Sequence, residues 1–253
     1  MSSPSSEQDW APVRLVGEAR TSRWLVICDH ASNAVPPSVG GGSLGVAAED
    51  MARHIAYDVG AAGLTLQLAE LLGAPAVLST FSRLVIDPNR GEDDPTLLMK
   101  LYDGTLIPAN RHADQTEVER RLDLYHRPYH DAVARLAARR ADTVLISVHS
   151  FTPQFRHRQP RPWHVGLLFA SDDRLSRPLL DLLRDEGSLV VGENQPYSGT
   201  LEGDTIDRHA IAHGRQNTLL EVRNDLIRDD AGQTEWAERL ARLLPLALRR
   251  AET

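Results

Sequence analysis

The chain has 253 residues, 42% hydrophobic, 25% charged and 5% aromatic, which excludes a fibrous, collagenous or disordered protein and leaves one large or two small globular domains. Its net charge of −7 argues against a dedicated nucleic-acid binder. The single cysteine, Cys28, excludes a disulfide framework or multi-cysteine metal site and fits a reducing, cytoplasmic setting.

A chain of this length buries roughly three quarters of its unfolded surface, so a metal would be present for chemistry rather than for folding. The first ten residues (MSSPSSEQDW) are polar, and residues 1–20 are expected to form a disordered or extended lead, with residues 21–253 as a single domain. No apolar run approaches the length of a membrane span.

Trp24–Cys28 (WLVIC) predicts a buried strand that delivers Asp29 and His30 at its C-terminal end. A Pro/Gly-rich loop follows at 36–45. Met51, Ile55, Val59, Leu64, Leu68 and Leu71 recur at helical spacing over 47–72, with Gly60 and Gly63 as points where the helix bends or splits. Residues 76–79 predict a strand. Leu84, Val85 and Ile86 predict a third, ending at Asp87-Pro88-Asn89-Arg90. Residues 91–110 read as a long loop, and Val118, Leu122, Tyr125, Tyr129, Val133 and Leu136 mark an amphipathic helix kinked near Pro128.

Residues 143–148 (TVLISV) form the strongest buried-strand pattern and run into His149-Ser150. A basic loop at 156–162 precedes a strand at 165–169, a helix at 174–184 and a strand at 189–191. A helical stretch at 206–213, a strand at 218–222 and a helix at 234–250 complete the chain. This alternation predicts an α/β fold: one domain with a mixed, mostly parallel sheet flanked by helices.

In open α/β sheets ligands bind beyond the carboxyl ends of the strands. Those ends carry His30, Asp87, Asn89, Arg90, His149 and Glu221. Two imidazoles can hold a divalent metal, a carboxylate can take a proton from water, and an arginine can hold a substrate anion, which together make a metal hydrolase. Singly, each is an ordinary strand-end polar residue. Arg83 either reaches the same cleft to polarise a carbonyl or forms a surface salt bridge. Tyr197, in a turn-forming loop, either contacts substrate or packs. Arg223 lies two residues beyond Glu221 on the same side of its strand, where it could pair with Glu221 or with substrate. His126 and His130 are four apart and could share a helix face as a metal pair, although a surface packed beside Tyr125 and Tyr129 is the favoured alternative. Cys28 reads as a small core residue. Only Lys100 of the 28 basic residues is a lysine; arginine-rich codon usage accounts for that, unless position shows some of the arginines to be carboxylate forks.

The segments DHASNAVP (29–36), HIAYDVGA (54–61), SRLVIDPNR (82–90), HSFTP (149–153), ENQPYSG (193–199) and EVRNDLI (221–227) resemble, in order, the signature segments of the N-formylglutamate amidohydrolase family. The resemblance implies a zinc carboxypeptidase-like or aspartoacylase-like fold (phosphorylase/hydrolase-like) and a divalent metal, zinc. The implied reaction converts N-formyl-L-glutamate or a similar small N-acyl amino acid to formate and the free amino acid. It further implies His30 and His149 as metal ligands, Asn89 and Arg90 on the substrate carboxylate, and Glu221 as base. The His-x-x-Glu pair of the carboxypeptidase class is absent, since the chain reads His30-Ala-Ser-Asn33. Asp58 is the preferred third ligand, with Asn33 and Asp29 as alternatives; Asn33 is also a candidate substrate contact. His209, in DRHAIAHG, resembles the family's histidine-bearing segment and is a candidate substrate or catalytic contact. The missing glutamate leaves room for a carboxylate-binding protein without catalysis, and pocket size leaves room for a hydrolase of another N-acyl amino acid or a peptide. Oligomeric state is not legible.

Overall fold

A computed structural model describes residues 10–253; residues 1–9 of the expected lead lie outside the described residues. Val13–Val16 forms strand β1, so part of that lead joins the sheet instead of preceding the domain. The sheet has seven strands: β1, β2 (Trp24–Cys28), β3 (Ala76–Ser79), β6 (Val144–Phe151), β7 (Val165–Leu168), β8 (Val191–Glu193) and β9 (Asn217–Arg223), in the order β1-β3-β2-β6-β9-β7-β8. The central four, β3, β2, β6 and β9, are mutually parallel. Strands β7 and β8 run parallel to each other and antiparallel to β9, and β1 is an antiparallel edge.

Both faces of the central strands are covered, which is why they read as continuous apolar runs. Alternation sends Trp24, Val26 and Cys28 into one core and Leu25 and Ile27 into the other. The first core lies under helices α2 (Ala61–Leu71), α5 (Ser176–Asp185) and α7 (Asp230–Ala251), and the second under α4 (Arg127–Ala137) and α6 (Thr205–His209). Cys28 is buried in the first core. Among the described residues, no helix is long and apolar enough to cross a membrane.

The predicted helix at 47–72 is two helices, α1 (Ala48–Met51) and α2, separated by turns that end at Gly60. Gly60 has φ 81°, and a Cβ there would stand 2.0 Å from the Ile227 carbonyl oxygen, so only glycine fits the entry to α2. The long loop at 91–110 folds into a small hairpin, β4 (Leu101–Tyr102) and β5 (Thr105–Leu106). The amphipathic helix is α3 (Gln115–Arg121), a π-turn at Leu122–His126, and α4. Pro128 is the second residue of α4, directly after the π-turn.

Leu84, Val85 and Ile86 are not a strand. They are fully buried in a turn begun by Ser82, whose Oγ accepts from the Leu84 amide. The carbonyl of Leu84 accepts from Asn110 Nδ2 at 2.7 Å, and that of Val85 from the buried Arg121 guanidinium at 2.7 Å. Side chains here satisfy the groups that a ladder would have satisfied, so apolar composition alone misassigns the segment.

Candidate active site

Strand β2 releases Asp29 and His30 at its carboxyl end, and the Asp58 amide donates to the His30 carbonyl at 2.9 Å, which pins the start of the α2 turn beside it. On β6, His149 stands in register with Glu221 of β9, so the two side chains leave the same face of adjacent strands. His30, Asp58 and His149 are buried, and one ligand atom from each lies within 4.8 Å of the others.

The hydrogen bonds orient both rings the same way. His30 Nε2 donates to Asp87 Oδ1 at 2.7 Å, and His149 Nε2 donates to Asp29 Oδ2 at 3.0 Å. Each ring therefore turns Nδ1 toward Asp58 Oδ2, at 3.3 Å from His30 and 2.8 Å from His149. Two imidazole lone pairs and a carboxylate oxygen converge, an arrangement that only a proton or a cation can reconcile. Buried carboxylates behind metal-binding imidazoles are the usual means of fixing tautomer and orientation. The donor set and its backing thus fit a divalent ion such as zinc.

Electrostatics supports the same view of the cluster. Burial alone would raise the Asp58 carboxyl, but the two imidazoles beside it, His30 and His149, hold it well below the ordinary carboxylate range. Burial opposes the charged form of His149, yet Asp29 and Asp58 lift the ring well above its ordinary value. Positive charge belongs at this point.

Above the cluster lies a cavity of about 280 Å³, near the lower end of small-molecule sites. Glu221 lines it. Its Oε2 is buried without a partner, and burial, reinforced by the charge of Asp58 and opposed by that of His149, pushes its carboxyl up to about 8. Arg83, Asn89, Arg90 and Tyr197 also face the cavity. Arg83 is held by Asp87 Oδ2 through Nε at 3.2 Å and Nη2 at 2.7 Å, and its Nη1 is 3.7 Å from Asp58 Oδ1. Its charge is therefore already balanced. Arg90 donates from Nε to Thr96 Oγ1 and from Nη1 to the Asn89 carbonyl, and among the described residues no carboxylate lies within ion-pair distance of it. Asn89 Oδ1 accepts from the Thr205 amide at 3.2 Å. His54 and Tyr102 line the cavity as well; no local sequence pattern marks them, since the first lies in a short turn and the second in a segment without a period.

Three candidates lie away from the cavity. Asn33 donates to the Met51 carbonyl, and Arg223 is occupied by Asp225 Oδ1 at 2.8 Å and the Trp163 carbonyl, not by Glu221. His209 is buried, and its Nε2 meets His130 Nδ1 at 2.8 Å. His126 and His130 are neither a metal pair nor a helix surface. Both are buried, and their Nε2 atoms donate to the carbonyls of Arg90 and Pro88, each at 2.9 Å. These rings brace the backbone that carries Asn89 and Arg90.

The braces are neutral. Burial lowers His209 from 6.5 to about 4 and also lowers His126 and His130. A depressed folded-state value means that this stability is fully present above about 6.5 and is lost as the pH falls toward about 4, where the unfolded chain takes up protons that the folded one refuses. His209 alone accounts for about 3 kcal/mol by pH 4. In urea titrations with chelator present, His209→Gln is expected to lose less stability than wild type between pH 7 and pH 4.5. Equal losses would show that His209 does not carry the acid sensitivity.

The mixed α/β sheet presents a buried two-histidine, one-carboxylate group that could hold a metal, beside a glutamate oxygen without a partner and under a small cavity. The model of the N-formylglutamate amidohydrolase family matches residues 22–228, and the chain belongs to that family, whose members are hydrolases acting on an amide. The gene product Atu2144 from Agrobacterium tumefaciens is 33% identical with a TM-score of 0.90, over 98% of this chain and 99% of that one. The N-formylglutamate amidohydrolase from Ralstonia eutropha JMP134 shares the fold at 24% identity and a TM-score of 0.70, over 96% of this chain and 98% of that one. No curated protein matches the chain.

Proposed function

We propose that the chain is a metal-dependent amidohydrolase that cleaves N-formyl-L-glutamate, or a closely similar N-acyl amino acid, to formate and the free amino acid. The observation that carries this proposal is the convergence of His30 Nδ1, His149 Nδ1 and Asp58 Oδ2 beneath a cavity into which Glu221 brings an unpaired carboxylate oxygen. His30, Asp58 and His149 would hold the ion. When bound, a divalent ion supplies Lewis acidity toward the acyl carbonyl and water, and positive charge beside Glu221.

The remaining work falls to the chain. Glu221 takes a proton from the attacking water as its oxygen bonds to the acyl carbon, and returns that proton to the amide nitrogen as the C–N bond breaks. The acid keeps the water's oxygen, and the amino acid leaves with a restored amine. Arg90, oriented by Thr96 and the Asn89 carbonyl, holds a substrate carboxylate through its free N–H groups. Arg83 supports Asp87 and Asp58 and leaves carboxylate binding to Arg90. The modest cavity favours a single amino-acid derivative over a peptide.

Arg90→Lys keeps the charge but loses the planar fork. It is expected to lower kcat/KM for N-formylglutamate by about 1–3 kcal/mol of transition-state stabilisation, and Arg90→Ala by more. A substrate whose carboxylate at this position is amidated should be poor for wild type and should lose little further in the variant, because the same contact cannot be lost twice. Equal losses on free-acid and amidated substrates would place the action of Arg90 on the fold instead.

A further inference from the structure

Arg161 lies half-buried in the loop between β6 and β7, with its guanidinium among three aromatic rings: Phe155 at 3.9 Å, Tyr197 at 4.9 Å and Phe151 at 5.7 Å from the ring centroids. Two of those rings, Phe151 and Tyr197, line the cavity. Nη1 donates to the Thr152 carbonyl at 3.2 Å and to the Tyr197 hydroxyl at 3.1 Å, which commits both of its protons. Among the described residues, Nε and Nη2 have no hydrogen-bond acceptor and no carboxylate stands within ion-pair distance. Aromatic faces steady a cation without neutralising it. The charge of Arg161 is felt at Glu221 and at His54, both in the cavity wall.

This distinguishes Arg161 from Arg83, which Asp87 already occupies. The uncommitted Nε/Nη2 edge is the side of a guanidinium that takes a carboxylate through two parallel hydrogen bonds. Its position is fixed from behind by Nη1, and the rings limit its motion. Arg90 lines the cavity and Arg161 packs against two of its lining rings, Phe151 and Tyr197, so the two guanidinium groups lie close to one small cavity, each held by neutral partners and each with donors to spare.

We propose that Arg161 is a second carboxylate subsite, so that Arg90 and Arg161 together select a substrate with two carboxylates over one with a single carboxylate. This rests on the N-acyl amino acid reading of the cavity and narrows it to acidic amino acids. A neutral side chain in the substrate would leave the Arg161 edge desolvated and unpaired, so the subsite discriminates by a cost as well as by a gain.

Calorimetry with glutarate and its monoamide tests the subsite without turnover. Wild type is expected to bind glutarate about 10-fold or more tighter than the monoamide. Arg161→Gln is expected to lose about 10- to 100-fold on glutarate and no more than about threefold on the monoamide. In turnover, kcat/KM of the variant should fall for N-formylglutamate and hold for N-formylglutamine. Equal glutarate affinity in wild type and variant, no preference for glutarate in wild type, or equal losses on both ligands would overturn the subsite. The expected glutarate pattern with neither formyl compound cleaved would uphold Arg161 and overturn the hydrolase assignment.

Discussion

Wild-type protein is expected to hold about one divalent ion per chain, and His149→Ala to hold almost none and to lose turnover to background. The ring is one of three converging ligands, and two are too few for a zinc-type site. Its removal also strands Asp29 and Asp58, both buried, without the imidazole between them, so stability should fall by about 3–5 kcal/mol. Asp87→Asn separates the metal effect from the folding effect. Asp87 holds His30 from behind and touches no ligand position, so this variant should keep the site and lose about 10- to 100-fold in metal affinity. Elemental analysis of the purified variants provides the check. Asp58→Ala should release the ion and Asn33→Ala should retain it, because Asn33 points its amide at the Met51 carbonyl. Full occupancy in both His30→Ala and His149→Ala would overturn the ligand set.

How much of this was legible in the sequence depends on where each residue's information lies. His30 comes two residues after WLVIC, His149 directly after TVLISV, and Glu221 near the end of TLLEV, so the rule that strands present their carboxyl ends to ligand was enough to gather them. Asp58 carries no such pattern. Its place depends on a turn closed by Gly60 and on one backbone hydrogen bond to His30, and only the resemblance to a family suggested it. The braces were not legible at all. His130 reaches a carbonyl 42 residues away and His209 a ring 79 residues away, contacts that exist only once α4 and α6 pack on the same face. Leu84 to Ile86 shows the converse, where strong local composition is overridden by Asn110 and Arg121 acting from a distance. Arg161 sits in a loop whose basic character gave no hint that its neighbours would be aromatic rings rather than acids.

Glu221→Gln is expected to lower kcat by about 100-fold or more while the ion and substrate still bind, because glutamine keeps the shape and polarity of the side chain but cannot accept a proton. Stability supplies a second readout of opposite sign. Burial raises the Glu221 carboxyl from an ordinary 4.5 to about 8 in the ion-free protein, so its favourable contribution is fully present below about 4.5 and is lost as the pH rises through about 8. Glutamine does not ionise. In chelator at pH 8 to 9 the variant should therefore melt at or above the wild-type temperature, relieved of a buried charge facing Asp58. A group retained for packing alone would behave otherwise, since replacing it would leave turnover near normal or cost stability and activity together. Slower turnover with undiminished ion content and equal or higher Tm identifies Glu221 as the proton carrier. Near-normal turnover places the base elsewhere, and the lost partner of Oε2 would then be sought among the substrate's own groups.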